Sequence, residues 1–361
     1  MAFLTLHKGK LKHNFDRLNA RFTARGIEWA VVTKVLCGTR NYLELLLNMH
    51  PTQICDSRVS NLRTVKKLNP DVETIYIKPP AKRAIKGVVE VADISMNSSF
   101  ETIRMLNDEA RRQGKIHKVI NMIEMGELRE GVMRDDLMDF YASVFELEHI
   151  DVIGIGTNLT CLYGVLPNHD KLIQLSLYEQ LIEARFQRPI RYVSGGTSVT
   201  IPLLDQGLLP DGVNHFRVGE SLFLGTNPYD NQPLEGLYTD LFILYAEIIE
   251  LIEKPAAPDG DMGTNVEGQS FRFSLADRTR TTYRALLDIG LLDVEPSHLQ
   301  PVDENIEVAG ASSDIVVIDL GETALGYSVG QLVAFKLDYM GLLRVLNSFY
   351  VAKKITNEPA L

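Results

Sequence analysis

The sequence predicts an N-terminal (β/α)8 barrel followed by a C-terminal all-β domain, an α/β + β architecture, and three observations carry that reading. Eight strand-length runs of apolar or β-branched residues recur over about 225 residues, with helix-length segments between most of them, close to the size such a barrel usually takes. Polar residues that interrupt or end these runs fall at their C-terminal ends. Beyond about Tyr238 the helical spacing gives way to shorter strands broken by Gly, Asn and Pro turns.

Taken in order, a short strand at Phe3–Leu6 precedes a helix in which Leu11, Phe15, Leu18 and Phe22 recur on one face. The barrel strands follow as Trp29–Lys34, Thr52–Asp56, Glu73–Lys78, Val91–Met96, His117–Ile123, Val152–Thr157, Ile190–Ser194 and Val213–Val218. Lys34, Asp56, Lys78, Asn97, Glu124, Asn158, Ser194 and Arg217 mark their ends, the face on which barrel enzymes build active sites. Residues 1–237 make the barrel domain, with residues 3–6 a strand able to join the second domain, residues 238–361. There "LYTDLFILYAEIIELIEKPAAP" reads as a strand pair or one long strand, and Asp259–Gly268 as a polar loop. "YRALLDIG", "IEVAGASSDIVVID" and "GQLVAFKL" supply later strands.

Composition narrows the function classes. The chain has 361 residues, 45% hydrophobic and 23% charged, enough apolar residue to bury a sizeable core. With 37 basic and 47 acidic residues the formal charge is 37 − 47 = −10, and no basic cluster stands against it, which argues against nucleic acid as a partner. Cys37, Cys55 and Cys161 are odd in number and lack metal-type spacing, as expected in a reducing cytoplasm. His169, His215 and His298 are scattered, so no metal site is expected. No apolar run is long enough to span a bilayer, and the start of the chain has no secretory pattern; the expectation is a soluble, cytoplasmic protein.

Three stretches carry chemistry. In "EWAVVTKVLCG" Lys34 follows Ala30, Val31 and Val32, where a desolvated amine would be a nucleophile for carbonyl groups. The same position suits a lysine that snorkels from the barrel mouth or pairs with Asp56 or Glu124. In "RYVSGGTSVTIP" two glycines beside Thr197 and Ser198 leave backbone N–H groups open to an anion, at the end of the seventh strand, where barrels often bind phosphate. In "NHFRVGESLFLGTN" Arg217 lies between Phe216 and Val218, where it needs an acceptor: a core carboxylate, a heteroaromatic nitrogen or an anionic ligand.

These stretches, with "ADISMNS", "EMGELREG", "GIGTNLTCLYGVLPN" and, in the second domain, "GASSDIVVID" and "SFYVAKK", resemble the bacterial ornithine and broad-specificity amino-acid racemases of the alanine racemase fold group. The resemblance covers nearly the whole chain. It implies a pyridoxal 5'-phosphate enzyme and a head-to-tail homodimer in which the partner's β domain closes each active site. By motif it implies that Lys34 carries the cofactor as a Schiff base and acts as one base. Thr197, Ser198, Gly219 and Glu220 would hold the phosphate, with Ser194 and Gly196 in the same cradle and Tyr339, in "LDYMGLL", reaching it. Asn158 would pack over the ring and Arg217 face its nitrogen, and an arginine there favours reprotonation at Cα because it does not readily protonate the ring. Arg129, Glu124 and Asp314 are the substrate-side positions.

The pattern departs from alanine racemases at "DIGLLDVEP", where Leu291 occupies the place of a catalytic tyrosine and cannot move a proton. Asp293, Ser312 and Ser313 are the alternative donors on the opposite face of Cα, directly or through water. Glu124, Glu127 and Asp56 could pair with the terminal amine of ornithine or lysine, or equally with Lys34, Lys78 or Arg129; with the resemblance, the expected reaction is interconversion of the L and D forms of a basic amino acid. A lyase, aldolase or dehydratase acting on D-amino acids, and a non-catalytic carrier of the same cofactor, are the competing readings.

Overall fold

Strand β1 (Phe3–His7) and helix α1 (Lys8–Thr23) open the computed structural model, which describes residues 2–265, 268 and 270–357. The barrel strands then alternate with helices: β2 (Glu28–Val32), α2 (Arg40–Leu47), β3 (Gln53–Asp56), α3 (Val59–Leu68), β4 (Glu73–Tyr76), α4 (Ile85–Val91), β5 (Ile94–Asn97) and α5 (Phe100–Arg112). There follow β6 (His117–Met122), α6 (Leu137–Val144), β7 (Ile150–Gly156), α7 (His169–Phe186), β8 (Tyr192–Ser194), the two-residue β9 (Gly196–Thr197), α8 (Ile201–Asp205), β10 (His215–Val218) and α9 (Glu220–Leu224). The sheet runs β8-β7-β6-β5-β4-β3-β2-β10-β9, all parallel, and is a nearly closed barrel because its end strands are separated in sequence only by Gly195.

Alternate residues fill the barrel. Ala30, Val32, Cys55, Ile75, Ile94, Met96, Ile120, Met122 and Tyr192 form one buried cluster, the inward set that period-two geometry places along each strand. Burying each of the larger members fully stabilises the fold by about 1.5–3 kcal/mol. Their neighbours on the outer strand face pack under helices: α5 lays Ile103, Leu106 and Ala110 inward, at i, i+3 and i+7. Helix α7 starts where the Asn168 side chain accepts the Lys171 N–H at 2.8 Å, an N-cap readable from "PNHD".

Several strand boundaries differ from the sequence expectation by a few residues, and two of the differences have a clear physical cause. Val91, expected to start the fourth barrel strand, ends helix α4, because Ile85, Val88, Val89 and Val91 form a buried helical stripe before Asp93 breaks it. The first barrel strand stops at Val32, and Lys34 opens a 3-10 turn, Lys34–Leu36.

Residues 1–10 and 240–361 form the second unit, and 11–239 the first. Its spine is β11 (Phe242–Pro255), one long strand rather than a pair. The sheet continues with β12 (Thr281–Leu287), β13 (Leu299–Pro301), β14 (Glu307–Ala311), β15 (Val316–Asp319) and β16 (Leu332–Leu337), in the order β13-β16-β11-β12-β15-β14. Strand β1 pairs antiparallel with β11 and parallel with β17 (Ala352–Thr356). The unit also carries one nine-residue helix, α10 (Tyr339–Asn347), capped by Asp338, whose side chain accepts the Gly341 N–H. No described helix is long and apolar enough to cross a membrane.

Candidate active site

Thr33 fixes the turn that carries Lys34. Its backbone N–H extends the β2–β3 ladder to the Cys55 carbonyl at 2.8 Å, and its hydroxyl donates to Asp56 at 2.9 Å. Asp56 also accepts the Arg58 N–H (2.9 Å) and the Asn61 side-chain amide (3.1 Å). Burial pushes its carboxyl up, and these donors offset only part of that. Asp56 is therefore a structural anchor of the turn. Lys34 itself is exposed, on an open rim instead of the apolar strand interior its sequence neighbours suggest.

Arg217 is the opposite case. It lies on β10 between Ala30 of β2 and Thr197 of β9, and is buried. Its Nη1 donates to the Ser194 carbonyl (2.7 Å) and to the Ser194 hydroxyl, and its Nη2 to the Thr157 carbonyl (2.7 Å). Three of its five N–H groups are thus committed, all to neutral oxygens. No carboxylate among the described residues pairs with it. Burial lowers its pKa from the ordinary arginine value. A cation built into a core with neutral acceptors alone retains donors for an electron-rich partner.

Beside it the Gly-rich turn is tightly drawn. A Cβ on Gly196 would stand 2.1 Å from the Phe216 ring, and one on Gly219 would stand 2.9 Å from the Val32 carbonyl oxygen, so neither accepts a larger residue. Thr197 and Thr200 cap each other reciprocally, and the Ser198 hydroxyl accepts the Ser221 N–H at 3.3 Å. Ser198, Gly219 and Glu220 are thereby brought together at the start of α9. Ser194 is not in that cradle through its side chain: its hydroxyl lies inside the barrel between Arg217 and the His215 ring. The Asn158 side-chain amide nitrogen is buried without a hydrogen bond, a donor still to be satisfied.

The loops after β6 and β7 hold the remaining barrel positions. One oxygen of Glu124 accepts the Gly126 and Leu128 N–H groups, and its other oxygen has no hydrogen bond among the described residues. Arg129 is chelated by Glu130. Glu127, absent from the sequence reasoning except as a possible amine partner, accepts five backbone N–H groups, from Thr160, Cys161, Leu162, Tyr163 and Val165. Burial pushes its carboxyl up, but the Leu162, Tyr163, Thr160 and Val165 N–H groups outweigh that and hold it at about 2. It organises the loop behind Asn158.

In the β unit, the turn at Gly290–Val294 is pinned to the facing turn by the Leu291 N–H to the Ser312 carbonyl and the Leu292 N–H to the Ser313 carbonyl, both 3.0 Å. Asp293 accepts the Ser348 hydroxyl. Asp293, Ser312, Ser313 and Asp314 are therefore neighbours. Asp293 and Asp314 line a cleft of about 510 Å3 with Asp288, Leu292, Phe349 and Tyr350. Sequence reasoning missed Asp288 and the two aromatic residues, although "NSFY", two adjacent aromatics before a polar run, is a readable sign of an unusual surface. Tyr339 opens helix α10 in this same unit. The described residues hold no cluster of metal-ligating side chains.

Comparison with known proteins follows these elements closely. A family model described as "Alanine racemase, N-terminal domain" matches residues 6–227, which span the whole barrel. The chain is 34% identical to the ornithine racemase of Acetoanaerobium sticklandii over 353 residues, 98% of this chain and 99% of that one. It is 29% identical to the lysine racemase of Thermotoga maritima over 350 residues, 97% of each. Among solved structures, an alanine racemase of Bartonella henselae with covalently bound pyridoxal phosphate superposes with a TM-score of 0.74 at 15% identity, covering 98% of this chain and 99% of that one. With its barrel matched throughout and relatives aligned from end to end, the chain belongs to the alanine racemase family of enzymes.

Proposed function

We propose that this protein is a pyridoxal 5'-phosphate racemase that interconverts the L and D forms of a basic amino acid such as ornithine or lysine. The observation that carries it is Arg217: a buried guanidinium spent on neutral oxygens, with no carboxylate among the described residues hydrogen-bonded to it. That donor set suits the nitrogen of a neutral heteroaromatic ring. When bound, the cofactor withdraws electrons from the substrate's Cα and so acidifies its hydrogen.

Lys34 would hold the cofactor covalently; once the substrate's amino group displaces it, the freed amine would take up or return the Cα proton on one face. Thr197, Ser198, Gly219 and Glu220 hold the phosphate, with Gly196 allowing the close approach and Tyr339 contributing to the same group. Asn158 satisfies its buried amide against the cofactor. Arg217, a donor that does not readily give up its proton, would face the ring nitrogen and leave it unprotonated, which would favour return of the proton to Cα. Asp293, assisted by Ser312 and Ser313, serves the other face from the β unit of a second copy in a homodimer. Asp314, with Asp288 on the same cleft, and the unbonded oxygen of Glu124 receive the substrate's terminal ammonium, while Arg129 attends its carboxylate. The names of the two full-length relatives, ornithine and lysine racemase, support this substrate class.

The test is α-deuterium loss from each enantiomer of ornithine, lysine, arginine and alanine, with borohydride reduction and mapping of the modified residue. Modification at Lys34 and faster exchange from the basic amino acids are expected. Alanine far outpacing all three basic substrates, or a cofactor attached elsewhere, overturns the reading. In Asp293→Asn, exchange should fall on the order of tenfold to a hundredfold for one enantiomer and much less for the other. Equal, parental rates exclude Asp293.

A further inference from the structure

Ser194 and His215 lie in the barrel interior, below the site, and belong to a continuous line of hydrogen bonds that runs the length of the barrel. The Ser194 hydroxyl is 2.6 Å from His215 Nδ1, and His215 Nε2 is 2.9 Å from Gln53 Oε1. Gln53 Nε2 donates to Glu73 Oε2 at 2.7 Å and to the Tyr192 hydroxyl at 3.1 Å. Tyr192 donates to Glu28 Oε2 at 2.9 Å, and Glu73 faces Lys118 at 3.3 Å. Gln53, His215 and Ser194 are all buried.

The direction of every proton in this line follows from its far end. Glu73, paired with Lys118, only accepts, so the Gln53 NH2 group faces it and Gln53 Oε1 faces His215. His215 Nε2 must then carry a hydrogen. Burial, reinforced by the Arg217 charge, keeps the imidazole neutral, which leaves Nδ1 bare. The Ser194 hydroxyl must therefore donate to Nδ1 and turn its lone pairs to Arg217 Nη1. Reversing any one bond would leave two donors or two acceptors facing each other in a core.

We propose that Gln53, His215 and Ser194 form a one-way hydrogen-bond relay that anchors Arg217 from beneath, with Ser194 and His215 as positioning residues for the reaction. Its link to catalysis rests on the racemase reading above; the relay itself does not. It does for Arg217 what an adjacent carboxylate commonly does for a buried arginine, fixing orientation while keeping negative charge at the far end of the barrel. A carboxylate in direct contact would draw the guanidinium away from a weakly basic ring nitrogen; a serine hydroxyl does not.

Nitrogen-15 NMR of the full chain without added cofactor tests the relay independently of activity. At neutral pH the His215 ring is expected with Nε2 protonated and Nδ1 bare, and an Nδ1–H tautomer or an imidazolium overturns the proposal. In Ser194→Ala and His215→Phe the Arg217 Nη protons should exchange with solvent at least about tenfold faster than in the parent; unchanged protection overturns it. With cofactor bound, kcat should fall on the order of tenfold to a hundredfold in each variant with KM little changed, and the double variant should lose no more than the worse single one. Additive losses overturn the shared route. A parent chain that shows the expected tautomer and Arg217 protection but no racemisation refutes the function and leaves the relay standing.

Discussion

Arg217 in the barrel unit and Asp293 in the β unit are both polar groups held by a serine hydroxyl, yet their settings differ. The hydrogen bonds of Arg217 lie within one unit and are buried, and the nearby turns carry glycines that admit no side chain. Around Asp293 the chain is open: Leu292 is 63% exposed, and Phe349 of the same cleft is 99% exposed. The barrel unit is preorganised as folded. The β unit presents a surface with large apolar side chains in water, which is how a surface looks when another protein covers it in use. On the proposed reading, the cofactor half of the site lies within one barrel unit, and the second base comes from the β unit of a second copy.

The largest effect is expected at Lys34, in the barrel unit. Lys34→Ala is expected to remove borohydride-sensitive absorbance and to slow racemisation by about 10²–10⁴-fold, measured by polarimetry, without change in unfolding midpoint. Retained turnover would move the first base elsewhere. Preorganisation of the barrel rim is tested at Glu127. Glu127→Ala strands five backbone N–H groups and should cost about 2–4 kcal/mol in urea unfolding. The sign with pH is fixed by its depressed pKa: the carboxylate's contribution is complete above about 4.5 and is lost as pH falls toward about 2.

The barrel interior sharpens the contrast at milder acidity. Burial first, then nearby positive charge, lowers His215 to about 3 and His117 to about 4, from 6.5. Below pH 6.5 the unfolded chain takes up protons that the folded chain refuses, so stability falls with pH, by up to about 1.4 kcal/mol per unit for each histidine. Urea midpoints across that range should show a shallower slope in His215→Phe. The smallest effect is expected on the open unit. Asp314→Asn should raise KM for a basic amino acid by no more than about fivefold, as for an exposed ion pair. A larger rise would mean that Asp314 is desolvated when substrate binds.

Much of this was legible in the sequence because period and position carry it. The eight barrel strands follow from apolar runs, and "VSGGTS" and "FRVGES" mark the turns that crowd Phe216 and Val32. Arg217 was legible as a buried cation, but not its acceptors: Thr157 and Ser194 come from other strands, and only the barrel's closure brings them together. The relay through His215 and Gln53 spans 162 positions of chain and leaves no local pattern. Lys34 misled in one respect. "AVVTKVLCG" reads as one buried strand, whereas the Thr33 hydroxyl, drawn to Asp56, ends it and turns the lysine outward. Helix α10 was hidden because "YMGLLRVLN" follows a strand directly and contains a glycine, which weakens a helix reading.

Strand β1 has a consequence for how the protein is made. Phe3–His7 lies between Phe242–Tyr245 and Ala352–Thr356, so its parallel neighbour leaves the ribosome roughly 350 residues after it does. At about 5–20 residues per second, that is roughly 20–70 s in which the strand keeps at least one unpaired edge. The barrel can close during that interval, whereas the β unit cannot be completed until the last strand arrives. A tag or fusion placed ahead of Phe3 would therefore burden the slowest step of biosynthesis, and a stop before Ala352 would leave an open edge free to pair with other chains.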